Sequence, residues 1–352
     1  MKKIVILIIC FFICGCTSKA FKEVVIHENN TSKIKLTMVG DALVHKPIIN
    51  YAYNGKEYNF KSIFSDLNLE GDLLYYNEES INGGEDLGYS GYPNFNTPDE
   101  FEEEMISLGF NLVSRGNNHT LDKGSKGIYH SSVFWKNHPW VLTNGSAYYR
   151  KDSFPEIREI NGITYTLLSY TTLTNGYKSP NDYFVNIYSE EKFLNDIKYL
   201  NNKCDLVIVA IHFGEEYRSI PTESQRNIAT FLAEHGANII IGTHPHVIEP
   251  VEWIGNSFVM YSLGNFISSQ SKTHEYERLI GMALSIDVIK TNNKIILSNP
   301  VSNLIYTYYN NYSNYKLIPF DKLNDNILYK YNYYHDKYNN IIKTYTNNIT
   351  TN

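Results

Sequence analysis

Leu206-Val207-Ile208-Val209-Ala210-Ile211-His212-Phe213-Gly214 and Ile239-Ile240-Ile241-Gly242-Thr243-His244-Pro245-His246 are two apolar runs that each lead into imidazoles. Short apolar runs bounded by turn residues read as buried strands of a parallel sheet. Groups placed just beyond such strands point into the crevice where an open α/β sheet binds ligands. His is the commonest neutral metal ligand near neutral pH. Further out, Asp41, His45, Glu79, Asn118 and His119 occupy the same strand-end contexts. The set offers oxygen and imidazole donors and no thiolate. Such donors suit zinc, manganese, iron or magnesium in a hydrolytic site better than a structural zinc clip.

The rest of the chain alternates strand and helix signals. Ile34 to Val39 reads as the first core strand and ends at Gly40-Asp41; Leu73 to Tyr76 delivers Asn77-Glu78-Glu79. Thr97-Pro98-Asp99-Glu100 predicts a helix start with a Thr cap, Pro at the first position and acids in the first turn, running to Leu108. Phe110 to Ser114 is a strand leading to Asn117-Asn118-His119, followed by a helix over 126–137 and a strand over Val141 to Thr143. Asn161-Gly162 and Gly255-Asn256, each between apolar runs, predict hairpins. Ser189 and Thr222 predict helix caps, and Ile280 to Ile289 with Lys294 to Leu297 predict closing strands. Helices alternating with strands, interrupted by hairpins, imply two mixed sheets packed face to face with helices outside. From about Tyr306 the chain is rich in Asn and Tyr, so residues 34–300 are expected to form the domain and 301–352 an extension that frays from about Asn339. The 30 tyrosines read as a composition bias of the whole chain rather than a sugar-stacking surface.

The chain has 352 residues, 43% hydrophobic and 19% charged, enough for a sizeable core. Its net charge of −6, with no basic stripe, argues against nucleic-acid partners. Met1-Lys2-Lys3 precedes an apolar run from Ile4 to Ile13, then Cys14-Gly15-Cys16. A basic start with a short apolar run is an export signal rather than a transmembrane helix. Ile13-Cys14-Gly15-Cys16 resembles the bacterial lipobox, which implies residues 1–16 as a signal, lipid on Cys16 and a polar tether over 17–33. The alternatives are a signal anchor or a plain secretory signal. Only Cys204 would remain in the mature domain, so no disulfide framework is expected.

Taken singly, each candidate ligand has a bland reading: Asp41 and Asn118 as turn residues, His45 as a surface imidazole, Glu78 and Glu79 as solvated acids. His244 and His246 are stronger, because a spacing of two puts both on one side of an extended segment. Together, carboxylates Asp41 and Glu79, the amide of Asn118 and the imidazoles of His45, His212, His244 and His246 make a set for two divalent cations that would clamp a phosphate and activate water. His119 is the candidate acid for the leaving oxygen. Arg218 either grips an anionic group bidentately or pairs with an acid of Glu215-Glu216.

These segments resemble the bacterial CapA family, the capsule (poly-γ-glutamate) synthesis proteins related to calcineurin-like metallophosphatases. The resemblance is carried by Met38-Val39-Gly40-Asp41-Ala42-Leu43-Val44-His45, Tyr76-Asn77-Glu78-Glu79, Gly88-Tyr89-Ser90-Gly91-Tyr92-Pro93, Gly109-Phe110-Asn111 and Asn117-Asn118-His119-Thr120-Leu121-Asp122. It continues in His212-Phe213-Gly214-Glu215-Glu216-Tyr217, Gly242-Thr243-His244-Pro245-His246 and Tyr261-Ser262-Leu263-Gly264-Asn265-Phe266. It implies a four-layer αββα sandwich with a dinuclear metal site. Asp41 and His246 fall at first-metal positions, Asn118, His212 and His244 at second-metal positions, and His119 at the acid position. Two departures stand out: Asp41 and His45 are four apart where phosphatases space Asp and His by two, and Glu79 replaces a bridging Asp. The implied protein is a lipoprotein on the outer face of the bacterial cell membrane, acting on an anionic envelope polymer or its precursor. Its expected reaction is metal-assisted hydrolysis or transfer at a phosphoester, or at an amide or ester of the polymer. The alternative is a non-catalytic assembly or polymer-binding subunit beside membrane-embedded synthesis proteins.

Overall fold

The computed structural model describes residues 31–270 and 276–352. Its first half runs β1 (Ser32–Ala42), α1 (Lys46–Ala52), β2 (Leu73–Glu78), α2 (Asp99–Ser107), β3 (Leu112–Ser114), α3 (Gly124–Lys136) and β4 (Leu142–Asn144). A second series follows: β5 (Arg158–Ile160), β6 (Ile163–Thr171), α4 (Glu190–Leu200), β7 (Leu206–His212), α5 (Glu223–Glu234) and β8 (Ile239–Thr243). The chain closes with β9 (Val251–Ile254), β10 (Ser257–Met260), β11 (Asn265–Ile267), β12 (Ile280–Thr291), β13 (Lys294–Asn310), β14 (Ser313–Pro319), α6 (Tyr331–Ile342) and β15 (Thr350–Thr351).

These strands form two mixed sheets. The first has nine strands, ordered β14-β13-β12-β1-β2-β3-β4, with β11 beside β1 and β15 beside β13; the second has six, ordered β5-β6-β7-β8-β10-β9. In each, the central strands are parallel; antiparallel hairpins form both edges of the second sheet and the β12-β13-β14 edge of the first, whose other edge strand, β4, runs parallel to β3. Strand alternation assigns the layers. Leu36 and Met38, Leu73 and Tyr75, Ile208 and Ala210, and Ile239 and Ile241 meet between the sheets. Their neighbours Leu74, Tyr76 and Val113 pack against α1, α2 and α3 through Ile49, Phe101, Met105 and Trp135. On the other side Val207, Val209, Ile211 and Ile240 pack against α4 and α5 through Phe193, Ala229 and Leu232. The architecture is a four-layer αββα sandwich. Each fully buried Leu, Ile or Val contributes roughly 1.5–3 kcal/mol.

Several sequence expectations shift. Thr97 does not cap α2: Pro98 takes the cap position without a side-chain bond, and the Thr97 hydroxyl donates to Ser80 Oγ instead. Ser189 and Thr222 do cap α4 and α5, Thr222 in a full capping box with Gln225. Ser32 and Lys33, assigned to the tether, belong to β1. The largest difference is at the carboxyl end, where residues 301–352 are no extension. β13 runs through residue 300 because its register shifts near Asn299, which takes the left-handed conformation at φ 51°, so Pro300 is passed by a bulge rather than ending the strand. Tyr338 and Ile342 of α6 are fully buried in the inter-sheet core, and β15 pairs with β13, so the stretch after Asn339 is packed. The expected signal, the Cys16 expected to carry lipid and most of the expected tether lie outside the described residues. Among the described residues, no helix is long and apolar enough to cross a membrane.

Candidate metal centre

Both sheets end their parallel strands at one edge of the sandwich, and the candidate residues gather there. β1 approaches β11 so closely that a Cβ on Gly40 would lie 1.8 Å from the Gly264 carbonyl oxygen. Gly is therefore needed at 40, and the approach sets Asp41 opposite Asn265 on one side and Asn77 on the other. Asn77 Nδ2 donates to Asp41 Oδ1 at 2.9 Å, and Ser114 Oγ donates to Asn77 Oδ1 at 2.8 Å. The His244 backbone N–H donates to Asp41 Oδ2 at 3.2 Å, tying the second sheet to the first.

His244 and His246 do not converge through strand alternation. Both residues take positive φ, 100° and 59°, so a turn around Pro245 swings the two imidazoles inward. Non-glycine residues rarely hold this conformation, and such strain clusters at functional sites. The ring centroids of His244 lie 4.8 Å from His212 and 5.8 Å from His246. The other ring atoms are positioned by polar neighbours. His212 Nδ1 bonds Thr243 Oγ1 at 2.9 Å, and His246 Nδ1 bonds Asn265 Oδ1 at 3.0 Å. Such supports fix ring orientation in metal sites.

Glu79 lies at the centre. It is fully buried, and neither of its carboxylate oxygens has a hydrogen-bond partner. His212 Nε2 and His246 Nε2 each stand 3.6 Å from its Oε1, and His246 Nδ1 stands 3.4 Å from Asp41 Oδ2. Three overlapping groups each keep one donor atom per residue within 4.8 Å of the others: Asp41, Glu79 and His246; Glu79, His212 and His244; and Glu216, His244 and His246. Asn118 joins the second group, with its Oδ1 2.9 Å from His212 Nε2. His244 Nδ1 is also buried without a partner.

Burial followed by the Asp41 charge pushes the Glu79 carboxyl well above its usual range. Burial, then the neighbouring His244 and His246, holds His212 well below the ordinary imidazole value. His244 is held down to about 4, by burial and then His246. An unpartnered buried carboxylate beside imidazoles kept neutral is a costly arrangement that a divalent cation relieves. The donor chemistry therefore fits a divalent metal.

Not every expected residue joins. His45 belongs to none of the three groups: its Nδ1 lies 2.9 Å from the Leu43 carbonyl oxygen, and its ring stands edge-on to Phe95. Its neighbours His246 and His119 add to burial in holding it down to about 4. Arg218 takes the surface-pair alternative, with Nη1 3.1 Å from Glu215 Oε2 and Nε donating to the Ile220 carbonyl. Arg278, which no motif marks, stands nearer the cluster: its guanidinium lies 3.7 Å from the Tyr217 ring centroid, and its carbonyl accepts from Asn265 Nδ2. His119 Nδ1 bonds Asp122 Oδ2 at 2.7 Å. An Asn117 side-chain turn presents Asn118 and His119, with Asn117 Oδ1 accepting from the His119 N–H. Asp122, Asn77, Asn265 and Thr243 carried no expected role, and Glu216 only that of an alternative partner for Arg218. Asp122 alone left a local signal, at three residues from His119.

Fold and site together define a four-layer α/β protein with a strand-end cluster able to hold divalent cations. Residues 35–270 match the bacterial capsule synthesis protein PGA_cap model, and the chain belongs to that family. The PGA biosynthesis protein CapA of Bacillus subtilis (strain 168) is 31% identical over 182 residues, covering 50% of this chain and 47% of the relative. The capsule biosynthesis protein CapA of Bacillus anthracis is 26% identical over 269 residues, covering 70% of this chain and 62% of the relative. Neither match reaches two thirds of the relative's length. A crystal structure of a novel phosphatase from Mycoplasma pneumoniae overlaps loosely, with a TM-score of 0.49 at 16% identity over 78% of this chain and 94% of that one.

Proposed function

We propose that the chain is a lipid-anchored envelope protein whose strand-end site hydrolyses or transfers a phosphoester, or an amide or ester, of an anionic capsule-type polymer. The observation that carries this reading is Glu79, a buried carboxylate without hydrogen-bond partners, ringed by imidazoles held neutral. Asp41, Glu79, Asn118, His212, His244 and His246 would hold the cations. Bound divalent cations supply Lewis-acid polarisation of the reacting group and a more acidic water. Asp41 and Glu79 balance their charge, while Thr243 and Asn265 keep His212 and His246 aimed. His119 donates its Nδ1 proton to Asp122, which leaves Nε2 as the atom that protonates a leaving oxygen. Phe95 packs edge-on against His119 and limits water on that side.

The test is His119→Ala in the full chain. Metal content and fold should be kept, while turnover on a phosphoester and polymer panel falls about 10²–10⁴-fold, the usual loss for a general acid. Full restoration of surface polymer in a deletion strain by this variant would instead favour a non-catalytic assembly subunit. The anchor is tested separately: Cys16→Ser should leave the precursor unprocessed and release it from membranes.

A further inference from the structure

Glu216 lies on the loop between β7 and α5 and takes no part in the two inner donor groups. We infer that Glu216 is a displaceable carboxylate ligand at the mouth of the site: it closes the outer side of the His244–His246 pair until an anionic group of the substrate replaces it. This rests on the metal-site reading above.

Its carboxylate shares the third donor group with His244 and His246, all within 4.8 Å. Both histidines are buried whereas Glu216 is exposed, so within that group only Glu216 borders solvent. The loop beneath it is pinned to the histidine turn. Tyr217 N–H donates to the Pro245 carbonyl at 2.7 Å, with Tyr217 at φ 64°, and Phe213 N–H donates to the Thr243 carbonyl at 3.1 Å. Backbone anchoring holds the carboxylate over the site while leaving its side-chain torsions free. His244 Nδ1, buried and without a partner, belongs to the residue Glu216 faces.

Charge then selects the substrate group. An oxyanion that displaces Glu216 keeps the balance around the cations, whereas a neutral group leaves them under-neutralised. The expected substrate class is one presenting a phosphate or carboxylate oxygen.

The experiment titrates the full-length chain with Mn²⁺ alone, then titrates the Mn²⁺-loaded protein with inorganic phosphate. Glu216→Gln and Glu216→Ala should bind Mn²⁺ about tenfold more weakly, as expected when a group supporting a metal is lost. Both should bind phosphate about tenfold more tightly, because a like charge near the anion is gone. Glu215→Gln, next door and paired with Arg218, should change neither. Unchanged affinity on either axis in the Glu216 variants overturns the inference while leaving the metal site standing. A wild-type chain that binds no Mn²⁺ overturns both.

Discussion

Glu78 and Glu79 are adjacent in sequence and equally deep, yet their surroundings are opposite. Strand alternation sends Glu78 to the helix side of the first sheet and Glu79 to the site. Glu78 is met by Arg115 Nε at 3.2 Å, Trp135 Nε1 at 3.0 Å and the Asn82 N–H at 3.3 Å. Glu79 has none of these. Glu249 is intermediate: Gln225 Nε2 donates to one of its oxygens at 2.7 Å and the other is unpartnered. It stands outside the three donor groups. A buried carboxylate completed by the protein holds structure together. One left without partners among neutral imidazoles has the chemistry of a cation ligand.

That contrast can be broken by mutation. The largest effect is expected from Glu78→Ala, which strands the buried Arg115 guanidinium and should cost about 3–5 kcal/mol in urea unfolding. Glu79→Gln should cost the metal-free protein little or stabilise it, since it replaces an unpartnered carboxyl whose ionisation burial already penalises. Equal losses for the two would end the distinction. Glu249→Gln sharpens the middle case through pH. Burial pushes the Glu249 carboxyl from 4.5 to about 8. Below the lower value, folded and unfolded chains both carry the proton and the contribution is complete. As pH rises toward the higher value the unfolded chain ionises first, so stability falls. Glu249→Gln should remove that decline between about pH 4.5 and 8, gaining on the order of a few kcal/mol above pH 8 and little below pH 4.5, without altering metal content. The smallest effect is expected at Arg218, whose exposed pair with Glu215 contributes little: Arg218→Ala should shift stability by less than about 1 kcal/mol.

Much of this was legible in the sequence, for local reasons. Apolar runs ending at Asp41, Glu79, Asn118, His212 and Thr243 marked the strand ends, and Asn161-Gly162, Ser189 and Thr222 marked a hairpin and two caps. What stayed hidden depended on distant pairings. Asn265 and Asn77 support the site only because β11 and β2 flank β1 at Asp41, a juxtaposition that no local spacing records. The convergence of His244 and His246 was expected for the wrong reason, since alternation requires extended backbone and the turn around Pro245 uses left-handed conformations instead. His45 follows the first strand in sequence, but its ring turns to Leu43 and Phe95. The carboxyl-terminal strands were masked by composition: the last strand was expected to close at Leu297, and Tyr306, Tyr315 and Tyr338 read as bias although all three are buried. Tyrosine offers a large apolar ring, so a Tyr-rich segment can supply core.

The central claim is that Glu79 is completed by metal. The most direct measurement is elemental analysis of the full-length chain after equilibration with Mn²⁺ or Zn²⁺ and removal of free ion. The account predicts roughly one to two equivalents in the wild type, the range of a dinuclear hydrolytic site. It predicts a marked loss in Glu79→Gln, and near-complete loss when His244 and His246 are both replaced by Ala. A folded wild-type chain without bound metal, or a Glu79→Gln variant holding as much as the wild type, would contradict it.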